Sequence, residues 1–251
     1  MDILESIVKW IEVRRPFVIV RAYQAIPENF SMGTLILVSH EEIIAEEIVG
    51  KSLLVQKAKE VLRQGKTISQ TIELEQYKVD VCFEYVSCQS KLLIVGAGHI
   101  AVPLSRIAST VGYEVCVLDD RKDYATQERF PDAKDVIVAP FVEGLHSYPL
   151  DRETGVTLLT RGHTYDRDCL KVLLEKEVGY IGMICSRRRK DAIFKLLLKD
   201  GYQQDQLDKV FAPIGLPTGG ETPEEIALSI MAEIVAVRNH GENWVRNLRG
   251  C

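Results

Sequence analysis

The chain has 251 residues, 46% of them apolar, which suffices for one large domain or two modest ones with packed cores. Its 31 basic and 36 acidic side chains give a net charge of −5, so there is no global attraction for nucleic acid or a membrane surface, and any anion site must be local. No apolar run approaches the roughly 20 residues that cross a bilayer, and Met1-Asp-Ile-Leu-Glu-Ser6 lacks the basic and apolar segments of a leader. The expectation is a cytoplasmic protein with no membrane span and no nucleic-acid partner. The six cysteines form no C-x-x-C pair and no zinc spacing, which suits a reduced compartment and gives no metal site. Cys116, inside an apolar run, reads as a core residue, and Cys251 as a frayed terminus.

Residues 1–88 read as a small α+β unit. Ile3, Leu4, Ile7, Val8 and Ile11 recur at helical period, and two extended runs follow, Phe17–Ala22 and Gly33–Ser39. A second helix is expected over about Ser52–Gln64, closed by Gly65. Thr67–Glu75 and Lys78–Val86, dense in Ile, Val, Tyr and Phe, complete the unit as strands. The polar Ser87–Ser90 reads as a linker.

Over residues 91–251 the apolar runs are short and continuous and alternate with helical patterns, as parallel strands covered on both faces require. Strands are expected at Leu92–Val95, Glu114–Asp119, Asp135–Ala139, Val156–Thr160 and Tyr180–Ile184. Helices are expected at His99–Val111, Asp166–Lys176, Arg187–Lys199 and from Thr222 to about Asn239. The last of these opens with a capping box, Thr222-Pro-Glu-Glu225. The fold class is therefore α/β, a doubly wound parallel sheet preceded by the smaller unit.

Ligands of such a sheet bind beyond the carboxyl ends of its strands. After the first strand, Gly96-x-Gly98-x-x-Ala101 opens a helix, so that backbone N–H groups can meet a phosphate at the helix's positive end. The second strand ends in Asp119, Asp120 and Arg121: an acid suits a ribose diol, whereas Arg121 suits a 2′-phosphate, and the choice stays open. Thr160-Arg161-Gly162-His163 follows the fourth strand. His163 is a candidate proton donor, proton acceptor or ligand, and Asp166 is a candidate helix-terminal acid. After the fifth strand, Ser186 can cap a helix whose first turn carries Arg187, Arg188 and Arg189, a placement that favours an anion. Cys185 beside them becomes a reactive thiol if that positive charge lowers its pKa. The Gly- and Pro-rich segment Ala212–Pro223 is long for a compact domain and suits a ligand clamp.

Taken together, these motifs resemble one family. Gly96-Ala-Gly-His99-Ile-Ala101, Val117-Leu-Asp-Asp-Arg121 with Arg129-Phe-Pro131, Thr160-Arg-Gly-His163 with Asp166, Gly182-Met-Ile-Cys-Ser-Arg-Arg188, and Ala212-Pro-Ile-Gly215 with Thr222-Pro-Glu-Glu-Ile-Ala227 look like the XdhC/CoxI family. These are accessory proteins of xanthine dehydrogenase and related molybdenum hydroxylases. The resemblance covers roughly residues 80–240. It implies a Rossmann-like C-terminal domain and a protein that binds the molybdenum cofactor, a molybdopterin, assists its sulfuration and delivers it to the apo-enzyme. The cofactor-binding set implied is Gly96, Gly98, His99, Ala101, Asp119, Arg121, Arg161, His163, Ser186, Arg187 and Arg188, with His163 and Cys185 as the candidates for any catalysis. A molybdenum hydroxylase apo-enzyme is the implied partner, and a cysteine desulfurase and a second copy of the chain remain open as others. The N-terminal region departs from the family pattern. Members carry Gly-Ser-x-Pro-Arg and Gly-Gly-Gly-Cys-Val-Glu stretches, where this chain has Ala25-Ile-Pro27 with Gly33, and Ile48-Val-Gly-Lys-Ser52; Cys185 stands where glycine is usual.

Two other readings of the same residues stay open. One is an NAD(P)-dependent oxidoreductase with Asp119 on the ribose and His163 moving a proton. The other is a nucleotide-sensing module without chemistry.

Overall fold

A computed structural model of the chain describes residues 3–12, 16–45, 47–86, 90–161 and 163–249, with the side chains of His163 and Thr164 outside the description. The expected linker residues 87–89 and Cys251 also lie outside it. Two compact units divide at Cys88 and Gln89.

The first unit is a five-stranded antiparallel sheet. Its elements are α1 (Ile3–Glu12), β1 (Phe17–Ile26), β2 (Gly33–Ser39), β3 (Ile43–Ala45), α2 (Lys51–Gln64), β4 (Ile68–Leu74) and β5 (Tyr77–Val86), in the strand order β3-β2-β1-β5-β4. Period-2 alternation sends Val18, Val20, Val79, Val81 and Phe83 to one face, where Leu54, Ala58 and Val61 of α2 cover them. On the other face Trp10 of α1 meets Phe17 edge-on, with ring centroids 5.3 Å apart, beside Ile19 and Leu37. Gly65 closes α2 in the left-handed region at φ 64°, its N–H donating to the Val61 carbonyl. The first strand continues to Ile26, past the Ala22 expected, and β3 carries no sequence signal because three residues are too few to show a period.

The second unit is a six-stranded parallel sheet. Its strands are β6 (Lys91–Val95), β7 (Glu114–Asp119), β8 (Asp135–Val138), β9 (Thr154–Leu158), β10 (Tyr180–Met183) and β11 (Val210–Phe211), in the order β11-β10-β9-β6-β7-β8. The chain first winds outward from β6 through β7 to β8, then returns to place β9 on the other side of β6. The order therefore reverses between β6 and β9, which is where this class of sheet opens a crevice. Alternate strand residues face opposite layers. Leu92, Ile94, Val115 and Val117 pack under α3 (Ala101–Thr110) and α8 (Pro223–His240). Leu93, Val95, Cys116 and Leu118 pack under α4 (Phe141–Ser147), α5 (His163–Leu174) and α6 (Arg187–Lys199). Cys116 is a core residue, and burial pushes its thiol up to about 12.

The helix boundaries shift from expectation in physically explicable ways. The structure places the start of α3 at Ala101, because Gly96–Ile100 forms the turn, and that of α5 at His163, three residues before Asp166. The helix from Thr222 is not the last: Gly241, at φ 84°, turns the chain into α9 (Glu242–Leu248), which buries Val245. The short elements α4, α7 (Gln204–Leu207) and β11 likewise fall below the length at which a period is readable. The capping box is present as expected: Thr222 accepts from the Glu225 amide at 3.2 Å, and the Glu225 carboxylate accepts the Thr222 amide at 3.1 Å.

Candidate functional site

The crevice is built around the glycine turn that leaves β6. Gly96 has φ 108°, and a β-carbon there would stand 2.5 Å from the Leu159 carbonyl oxygen, so the turn and the end of β9 touch only because the residue is glycine. Gly98 is different: a β-carbon there meets nothing within 4 Å. It borders open space at the start of α3, a helix with no side-chain cap and no acid in its first turn. His99 is exposed beside it, and Ala101 is buried under the helix. This is a surface that a phosphate can approach closely.

Two charged side chains grip the middle of the turn. Asp119 accepts the Ala97 N–H at 2.7 Å, while Arg129 donates to the Ala97 carbonyl at 2.9 Å and to the Tyr124 carbonyl at 2.6 Å. Asp119 is fully buried, and its oxygens also accept the Arg121 amide at 3.0 Å and the Arg121 guanidinium at 2.8 and 2.9 Å. Four bonds fill a carboxylate's acceptor capacity. Burial acts to raise its pKa, but the Arg121 guanidinium and the Ala97 and Arg121 amides outweigh it and hold the carboxyl down to about 2. Asp119 thus organises the turn and has no oxygen left for a ribose diol. Arg121 lies over the Tyr124 ring, 3.6 Å from its centroid.

Asp120, the next residue, turns outward. Arg161 from the end of β9 meets it with two bonds of 3.0 and 2.8 Å. Since β6 lies between β7 and β9, this pair reaches across two strand spacings, about 10 Å, over the glycine turn. Arg161 also lies 5.4 Å from the Tyr165 ring centroid.

The third group centres on Asp166, which is fully buried and receives the Thr160 hydroxyl and the Arg189 guanidinium. It ties the ends of β9, α5 and α6 together, a larger role than that of a helix-terminal acid. Ser186 caps α6 by accepting the Arg189 amide at 3.2 Å. The sequence grouped Arg187, Arg188 and Arg189, and the structure separates them: the first two are exposed, and the third turns inward to Asp166. Cys185 is half-buried. Burial and the Asp166 carboxylate push its thiol up despite Arg189 and Lys190, the reverse of the lowering that a reactive thiol requires. The His163 side chain lies outside the described residues.

The segment after β11 is pinned more firmly than a mobile clamp. Buried Glu233 of α8 accepts the Tyr180 hydroxyl at 2.6 Å and the Gly215 amide at 3.0 Å, and pairs with Arg249 at 2.7 Å. Arg249 also donates to the Pro213 carbonyl at 2.5 Å. Full exposure in this segment begins only at Pro217. Sequence reasoning missed Arg129, Glu233 and Arg249. Arg129 stood within a quoted motif, but its partner Ala97 is 32 positions away, and no periodicity reports such a pairing.

Comparison with known proteins agrees with this architecture. Residues 92–234 match the XdhC Rossmann domain family. A probable xanthine dehydrogenase subunit of Bacillus subtilis is 29% identical over 175 residues, 69% of this chain and 51% of that protein. The molybdenum cofactor insertion chaperone PaoD of Escherichia coli is 24% identical over 152 residues, 61% of this chain and 41% of that one. This chain thus spans about half or less of the length of the curated relatives it matches. Among solved structures, a xanthine dehydrogenase from Bacillus halodurans shares the fold, with a TM-score of 0.66 and 24% identity, over 96% of this chain and 70% of that one. With the family match running over more than half of its residues, the chain belongs to the XdhC family and carries that family's Rossmann domain.

Proposed function

We propose that this protein is a maturation factor for molybdenum hydroxylases: it carries a molybdenum cofactor by its phosphate end in the crevice between β6 and β9, and hands it to the apo-enzyme. The observation that carries this reading is the pairing of open space at Gly98 with the uncapped start of α3, on the strand-end edge where Arg161 of the β9 end also lies. That donor set fits a phosphate. Gly98 and His99 would offer the backbone approach, Ala101 the tight helix entry, and Arg161 the counter-charge. Arg187 and Arg188, exposed at the start of α6, would serve the outer end of a long ligand. Molybdopterin supplies the metal-binding dithiolene, and these residues hold and shield it.

Among the described residues, no group of three or more His, Cys, Asp or Glu is placed to hold a metal ion. The Cys185 thiol is pushed away from thiolate, so sulfuration of the cargo would draw its sulfur from a partner such as a cysteine desulfurase. The nicotinamide reading is less well supported, because Asp119, the acceptor it would use for the ribose, is already filled. Among the described residues no helix is long and apolar enough to cross a membrane.

The test is to express the chain with a molybdenum hydroxylase, purify it and measure bound pterin by fluorescence after oxidation. Pterin should copurify and should leave on addition of the apo-enzyme. Its absence under every expression condition overturns the proposal.

A further inference from the structure

Arginines crowd the ends of β7 and β9. Three guanidinium groups gather there: Arg121 on Asp119, Arg161 on Asp120, and Arg129 on the carbonyls of Ala97 and Tyr124. Arg121 and Arg161 meet carboxylates, whereas Arg129 bonds neutral carbonyls, and the acids of its own loop are Asp123 and Glu128. Arg129 shares the Tyr124 ring with Arg121, the centroid lying 3.6 Å from the Arg121 guanidinium carbon and 5.1 Å from that of Arg129.

The two acids differ in how firmly they are held. Asp119 is fully buried with all acceptor positions filled, whereas Asp120 is 24% exposed and its main partner Arg161 is 41% exposed, each reaching the other pair only at 3.9 Å, Asp120 to Arg121 and Arg161 to Asp119. An exposed pair of this kind exchanges readily with other anions, because water and salt already screen it. It joins the ends of β7 and β9, the strands on either side of β6 and its glycine turn.

From this geometry we propose that the crevice mouth is a receptor for a terminal phosphate group, in which Asp120 is the resident anion. The ligand's phosphate takes the place of Asp120 on Arg161, and Arg129 and Arg121 supply the charge that makes a dianion the better partner. Asp120 is then a specificity-determining residue. A ligand without a terminal phosphate cannot displace it, and a ribose diol finds no free acceptor in Asp119. The inference rests on the reading of this crevice as the ligand site, and it extends that reading to the group that is recognised. Pterin phosphates and nucleotide phosphates share this chemistry.

The experiment is calorimetric titration of the full chain with inorganic pyrophosphate, comparing wild type, D120N and R161Q at low and moderate salt. D120N should bind about fivefold more tightly, since one exposed ion pair no longer competes; R161Q should bind at least about fivefold more weakly. The gap between wild type and D120N should shrink as salt rises. A gain of affinity cannot come from general damage to the fold, so D120N separates recognition from structure. Unchanged or weaker binding in D120N, or no binding by any of the three, overturns the inference. Two further arms identify the source. Tight binding of adenosine 2′,5′-bisphosphate or AMP that D120N strengthens and R161Q weakens reports a nucleotide phosphate, whereas pterin that copurifies with D120N but is lost from R161Q reports a pterin phosphate. If pyrophosphate follows the expected order while no pterin ever copurifies, the receptor stands and the carrier role falls; the opposite pattern removes the receptor alone.

Discussion

Asp119→Asn removes one charge from the centre of the glycine turn with almost no change in shape. The wild-type carboxyl is held near 2 against an ordinary 3.8, and each unit of such a difference is worth 1.36 kcal/mol. The ionised group therefore contributes on the order of 2 kcal/mol at neutral pH. Asparagine also presents an NH2 group toward donors from Ala97 or Arg121, which adds about 1 kcal/mol for an unmade bond. A loss of about 2–4 kcal/mol is expected, read as a lower urea midpoint with an unchanged slope. The pH dependence supplies the sharper check. Because the folded pKa is depressed, the contribution is complete above the unfolded value near 4 and fades as pH falls toward 2. Urea unfolding of both proteins at pH 7 and pH 3 should show the gap narrowing by about 1 kcal/mol, since the unmade bond does not depend on pH. A gap below about 0.5 kcal/mol at pH 7, or one equal at both pH values, refutes the placement of Asp119 as the buried anchor of the turn.

Three other outcomes follow from the same structure. Gly96→Ala must accept φ 108° and a β-carbon against the Leu159 backbone, which should cost at least about 3 kcal/mol and be visible in thermal unfolding; a loss under about 1 kcal/mol would contradict the contact. Glu233→Leu removes the carboxylate that the Gly215 amide and Arg249 both use, and should destabilise by about 3–5 kcal/mol and expose the segment after β11 to protease. Cys185 should react with iodoacetamide more slowly than a free thiol at pH 8, since burial and Asp166 push its pKa up; faster reaction would restore it as a nucleophile.

What the sequence made legible was local. The turn at Gly96–Ala101, the Thr222 capping box, the Ser186 cap and the alternating burial of Leu92–Val95 are short-range patterns, and each is readable in place. The paired acids at 119 and 120 show the limit. Both follow the same strand, and only the packed structure distinguishes the one buried under Ala97 from the one that reaches Arg161. Tyr180 and Glu233 are separated by 53 positions, and neither looks unusual within its own segment. The unit of Ile3–Val86 was recognisable as mixed sheet and helix from its periods, but the order β3-β2-β1-β5-β4 depends on pairings between strands that no single run encodes.

Gly98 offers the most direct test of the central claim, that the crevice at the start of α3 carries a phosphorylated pterin cofactor. Its β-carbon position is open and its φ lies outside the positive range, so Gly98→Val should fold, as its melting temperature will show, while filling the space the ligand needs. Coexpressed with a molybdenum hydroxylase, wild type should retain pterin and G98V should lose most of it, with activation of the hydroxylase falling in step. Equal pterin in both proteins, or none in wild type, would contradict the account.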